Sequence, residues 1–125
     1  MVDRSMRGIF PVLAMPFDAE GNIVVEDLQR EVDWIAGHGI LGVAIALGSE
    51  VYKLSDEERA FVLKTVVEAA NGRLKVVMNT GHEGTGVSID YAKSAQDLGA
   101  SALMIRPPSF AQLSGSEVTK YFVAI

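Results

Sequence analysis

Gly48-Ser49-Glu50 is the first stretch of this chain whose residue types and spacing suggest chemistry. It follows the apolar run 40–47, where a buried strand would end and a loop begin. A glycine, a hydroxyl and a carboxylate in that place have two readings. Backbone N–H groups and the Ser49 hydroxyl can cradle a substrate carboxylate, or the loop is simply tight and Glu50 fixes its shape through hydrogen bonds. For Glu50 the structural role is the favoured one. His82 and Glu83 follow the apolar run 75–80 and come to the same end of the fold, where they either meet a substrate hydroxyl or are solvated. Arg106 ends a third such run, just before Pro107 and Pro108. It can pair with an acidic substrate or with a carboxylate of its own chain such as Glu50.

Two glycine clusters invite a phosphate reading. Gly37-His38-Gly39-Ile40-Leu41-Gly42 spells GxGxxG, but it follows a helix pattern and precedes a strand, the reverse of a dinucleotide site. Gly81, Gly84 and Gly86 do lie between strand and helix, yet their order fits neither common phosphate motif. His38 falls at a helix C-terminus, where the dipole favours an imidazolium, and Trp34 is expected to pack between helices. With 2 histidines and no cysteine, thiol chemistry is excluded and a histidine-based metal site is not expected.

These residues need strands and helices to position them. The runs 8–15, 42–47, 75–80 and 101–105 are short and apolar on both faces, the pattern of buried parallel strands. Between them lie helical patterns over 25–38, 56–71 and 85–98, with a further helix starting near Ser116. In the first, Leu28, Val32, Ile35 and Ala36 share a face; in the third, Val87, Tyr91, Ala95 and Leu98 do. Ser55 and Glu58 read as a capping box, with Gly72 and Gly99 as helix stops. Strand–helix repeated in this way predicts an α/β fold. The last helix pattern, with Val118, Tyr121, Phe122 and Ile125 on one face, is still running at the final residue. Residues 1–125 therefore read as the N-terminal half of an eight-unit barrel of roughly 250 residues, with no second domain.

Composition narrows the function classes. Of 125 residues, 49% are apolar, enough for a core. A net charge of −5 with no basic run argues against nucleic acid or an anionic membrane as partner. Residues 1–8 lack the apolar stretch of a signal peptide, and no apolar run approaches the roughly 20 residues of a membrane span. The absence of cysteine fits a reducing compartment, so the expected location is cytoplasmic.

The segment from Gly48 to Arg59, GSEVYKLSDEER, is similar to the GTTGE–x–x–x–L–S–x–x–E–R signature of the dihydrodipicolinate synthase / N-acetylneuraminate lyase family of Schiff-base aldolases. Met15-Pro16-Phe17 resembles the family's TPF. The heptapeptide from Asn79 to Thr85 resembles its G-T-G-x-x-x-T, and Pro107-Pro108-Ser109-Phe110 its TPYY. The resemblance implies a (β/α)8 TIM barrel acting on a 2-oxo acid, usually pyruvate, through a lysine imine. It also implies substrate binding at Gly48 and Ser49, with Glu50, His82, Glu83 and Phe110 on the site loops. The family's lysine on the sixth strand and its YNxP tyrosine on the fifth have no counterpart among these residues, and Lys120 lies in a helix. No cofactor and no metal are implied; a homo-oligomer, dimer or tetramer, is. Ala46, Leu47, Gly48 and Ser49 stand where the family has G, T, T and G, and Phe110 replaces the second tyrosine of TPYY. These departures favour a different aldolase, or a sugar-acid dehydratase of the same family, over dihydrodipicolinate synthase itself. The alternatives outside the family are a four-unit α/β binding module without enzymatic activity and a half barrel that pairs with a second copy.

Overall fold

A computed structural model describes residues 6–125, so most of the 1–8 stretch lies outside the described residues. Three strands form one parallel sheet in sequence order: β1 (Gly42–Ile45), β2 (Lys75–Asn79) and β3 (Ala102–Met104). Helix α1 (Val25–Ala36) precedes β1, α2 (Asp56–Ala70) links β1 to β2, α3 (Thr85–Asp97) links β2 to β3, and α4 (Gly115–Ala124) follows. Sequential parallel strands with a helix in each connection are successive βα units.

The register separates two faces. Val43 pairs with Val76 and Ile45 with Met78, and all four belong to the apolar core. Into that core α1 inserts Leu28, Val32 and Ile35, α2 inserts Val62, Leu63, Val66 and Ala70, and α3 inserts Ala95. Because side chains alternate along a strand, Ala44, Val77 and Asn79 point to the opposite face. There Ala44 pairs with Val77, Val77 with Ala102 and Asn79 with Met104. In a closed barrel this is the face that turns toward the axis.

The helices start where their sequences direct. The Ser55 hydroxyl accepts from the Glu58 N–H, and the Glu58 carboxylate accepts from the Ser55 N–H at 2.8 Å. Ser114 and Glu117 repeat this reciprocal cap on α4. Asn71 ends α2 in the left-handed region at φ 45°, followed by Gly72 at 72°.

Two expectations need correction. The run 8–15 forms no strand; it meets the sheet through a single parallel bridge, Val12 to Ala44. Pro11 has no N–H to donate, and on the far side the next rung is occupied by a side chain, as described below. Trp34 does not pack between helices: it is 66% exposed and lies against His38 with the rings tilted by 38° and their centres 4.1 Å apart.

Candidate functional site

The carboxyl ends of the strands gather the sequence-derived candidates. After β1 the chain makes two consecutive 3-10 turns, Leu47–Ser49 and Val51–Lys53. Glu50 joins them with φ 57°, a left-handed conformation that costs a non-glycine residue energy. Its N–H donates to Leu47 O and its carbonyl accepts from Lys53 N–H, so Glu50 shapes the loop through its backbone. Its carboxylate pairs with Lys53 at 2.8 Å, not with Arg106.

Ser49 is completely buried. Its hydroxyl donates to Leu13 O at 2.6 Å and accepts from Ala46 N–H at 3.2 Å. The rungs below it are ordinary backbone bonds, Ala44 N–H to Pro11 O and Leu13 N–H to Ala44 O, both 2.9 Å. A direct Ala46-to-Leu13 bond would be the next rung of a parallel ladder. The Ser49 hydroxyl is inserted in its place, which ends pairing of the first segment after one bridge. The same insertion holds the turn that presents the N–H groups of Leu47 and Gly48. Among the described residues, neither of these donates a hydrogen bond, as expected for the opening of a 3-10 turn. Leu47 itself is 45% exposed.

His82 and Glu83 lie on the loop after β2. The His82 N–H donates to the Tyr121 hydroxyl at 3.2 Å, and its Nδ1 accepts from Gly84 N–H at 3.0 Å. Glu83 reaches across to the loop after β3. It accepts from the N–H of Ser109 at 2.9 Å, the N–H of Phe110 at 3.0 Å and Arg106 Nη2 at 3.0 Å. The Phe110 N–H foremost, with help from Ser109 and Arg106, holds the Glu83 carboxyl below the ordinary glutamate range. The partner of Arg106 is therefore Glu83 rather than Glu50. Arg106 also touches the Ser109 hydroxyl. Phe110 projects outward, 96% exposed. Gly81 explains itself sterically: a Cβ there would lie 2.6 Å from Arg106 N and 2.8 Å from Arg106 O. Close approach of two loops, rather than phosphate binding, accounts for this glycine.

Two residues carry more of the site's geometry than their sequence context suggests. Arg59, from the E–R end of the signature, is buried and donates to Val51 O at 3.1 Å and Asn79 O at 2.6 Å. Its guanidinium lies 4.3 Å from the Tyr91 ring centre, and burial pushes its pKa down. Tyr121, read from sequence only as part of an apolar face, places its hydroxyl 2.8 Å from Ser88 Oγ and within reach of the His82 and Arg106 carbonyls. One phenol thus ties α4 to α3 and to both loops. Partners far apart in sequence gave no local signal for either role.

Between these loops lies a cleft of about 260 Å3, lined by Leu47, Tyr52, Asn79, His82, Glu83 and Arg106 among others. A larger hollow of about 430 Å3 sits at the opposite, amino ends of the strands, beside Phe10, Arg73 and Ser101. The smaller cleft is the candidate site. Of the two, it is the one that Leu47 of the β1 turn lines, and βα barrels carry their chemistry at the carboxyl ends of the strands. No group of three or more metal-ligating side chains occurs among the described residues. No helix among them is long and apolar enough to cross a membrane.

A model of the dihydrodipicolinate synthetase family matches residues 5–125. The chain belongs to that family. L-2-keto-3-deoxyarabonate dehydratase of Azospirillum brasilense is 35% identical over 103 residues, covering 82% of this chain and 33% of that protein. The 4-hydroxy-tetrahydrodipicolinate synthase of Staphylococcus carnosus is 30% identical over 125 residues, covering 99% of this chain and 42% of that protein. Among solved structures, the chloride-inhibited dihydrodipicolinate synthase of Acinetobacter baumannii, complexed with pyruvate, superposes with a TM-score of 0.93 at 25% identity. That match covers 96% of this chain and 42% of the other. The chain thus spans well under half the length of these family members, and its fold is that of the first βα units of their TIM barrel.

Proposed function

We propose that these residues form the carboxylate-binding end of a lyase that acts on a pyruvate-type 2-oxo acid through a lysine Schiff base. The lysine lies outside residues 1–125. The observation that carries this reading is the pair of unpaired N–H groups of Leu47 and Gly48 at the carboxyl end of β1, with Leu47 on the wall of the cleft. Two adjacent amides suit a carboxylate, since hydrogen bonds to an ionised acceptor are stronger than neutral ones. Gly48 binds through its N–H, and Ser49 serves the site by fixing the turn. His82 and Glu83 border the cleft, with Glu83 holding the loop that carries Phe110.

The chemistry follows from the electrophile. A neutral lysine amine adds to the ketone and loses water to give an imine, which takes up a proton to become an iminium. The iminium accepts the electron pair of the carbon–carbon bond that breaks, or supplies an enamine for the bond that forms. The carboxylate cradle sets the ketone carbon at a fixed distance from the amine.

Dehydration of a sugar-acid-derived 2-oxo acid is the second reading. It is favoured by the absence of side-chain hydroxyls at Leu47, Gly48 and Phe110, which leaves fewer groups for the proton transfers of dihydrodipicolinate synthesis. In either case the full-length protein is an oligomer in this reading, and Phe110 is an exposed apolar group that an assembly would cover.

Borohydride reduction tests the proposal. The full-length protein incubated with pyruvate or another 2-oxo acid should gain the mass of one reduced adduct on a single lysine. No adduct with any 2-oxo acid would reject imine formation.

A further inference from the structure

Asn79 ends β2 on the face away from the helices, since Val76 and Met78 fill the helix-side core and side chains alternate. Its register partner is Met104, and Ala46 follows the Ile45–Met78 pair on its other side. Neither neighbour's side chain offers a strong hydrogen-bonding group. The residue is only 3% exposed, yet its carboxamide makes no hydrogen bond among the described residues. Its backbone is fixed, because the Asn79 carbonyl accepts from Arg59 Nη2 at 2.6 Å. Its polar atoms are not sealed from solvent, so the unpaired amide opens onto the cleft, and a group this enclosed gains from a hydrogen-bonding partner. Among the described residues the one sealed and unbonded side-chain atom is Thr80 Oγ1, which shares the helix-side parity of Met78 and so faces away from the site. Asn79 instead lines the same cleft as Leu47, His82 and Arg106.

A carboxamide presents two N–H donors and an acceptor oxygen, the complement of a hydroxyl, which both donates and accepts. Asn79 stands one strand over from the β1 turn, a lateral spacing of about 4.8 Å. A ligand whose carboxylate sits on the Leu47 and Gly48 amides therefore reaches Asn79 with a group a few carbons along its chain. Pyruvate is too short to offer one. In the G-T-G pattern that this segment resembles, the position is glycine, so the carboxamide is an addition in this chain. We infer that Asn79 is a substrate-binding residue that reads a hydroxyl on the carbon chain, and that the substrate is a polyhydroxylated 2-oxo acid. This inference rests on the 2-oxo-acid reading above and narrows it.

The test compares two probes on the full-length protein, pyruvate and L-2-keto-3-deoxyarabonate, by titration calorimetry. Asn79→Ala should weaken binding of the hydroxylated acid about tenfold, the size of one lost hydrogen bond, and leave pyruvate affinity within about twofold. Asn79→Asp, which keeps the shape and replaces the N–H donors with a charge, should discriminate at least as strongly. Unchanged thermal melting of either variant shows that the fold is intact. Equal losses for both probes, or no loss for either, would overturn the inference while leaving the 2-oxo-acid reading standing. Failure of the unmodified protein to bind both probes would reject that reading and this inference with it.

Discussion

The Ser49 hydroxyl takes the place of one rung in the pairing between the first segment and β1, donating to Leu13 O and accepting from Ala46 N–H. Removing it leaves a buried carbonyl and a buried N–H without partners, at a cost of about 1–3 kcal/mol. Ser49→Ala should lower unfolding stability by that amount in a urea titration; a loss under about 0.5 kcal/mol would mean that the two backbone groups close on each other directly. Glu83 supports a pH prediction. Its carboxyl is depressed when folded, chiefly by the Phe110 N–H, while the unfolded group keeps the ordinary glutamate value. The tie to the 109–110 loop is therefore fully present above that ordinary value and is lost as pH falls through the depressed one. The amide resonances of Ser109 and Phe110 should titrate together in that acidic window, and Glu83→Gln should abolish the titration. Both contacts join residues more than 20 positions apart. Sequence could mark Ser49 and Glu83 as polar groups at strand ends, but nothing local named their partners.

At the scale of elements, the helices were legible because their signals are local. The Ser55–Glu58 cap spans four residues, and the apolar stripes repeat every three to four. The strands of the sheet were legible too, as apolar runs, though each is shorter than its run. The first segment was not, because Pro11 and the Ser49 insertion limit pairing in ways that hydrophobicity does not register. Loop packing at the site end rests on a missing side chain. A Cβ on Gly81 would collide with backbone atoms of Arg106, which cannot rotate away. Gly81→Ala should therefore destabilise the fold by about 1–3 kcal/mol, the usual cost of overpacking. It should also release the Glu83–Arg106 contact, visible as faster amide exchange across residues 106–110. Unchanged exchange there would show that the loops are held together without that close approach.

At the scale of the whole molecule, the parallel order β1-β2-β3 and the one-sided helix layer place every candidate residue at one end of the sheet. The family match and the solved TIM barrels agree with the α/β fold, which the strand–helix repeats and the motifs around Gly48 already indicated. Substrate identity was less legible, since it depends on which face each strand residue takes, and only the register assigns Asn79 to the inner one. In the proposed function, substrate binding at this end of the fold depends on the Leu47 and Gly48 amides holding a carboxylate. The direct test is a crystal structure of the full-length protein with pyruvate reduced onto its lysine. A carboxylate oxygen should lie about 3 Å from Gly48 N, within hydrogen-bond range. A trapped adduct whose carboxylate lies elsewhere, with the Gly48 N–H facing only water, would contradict the account.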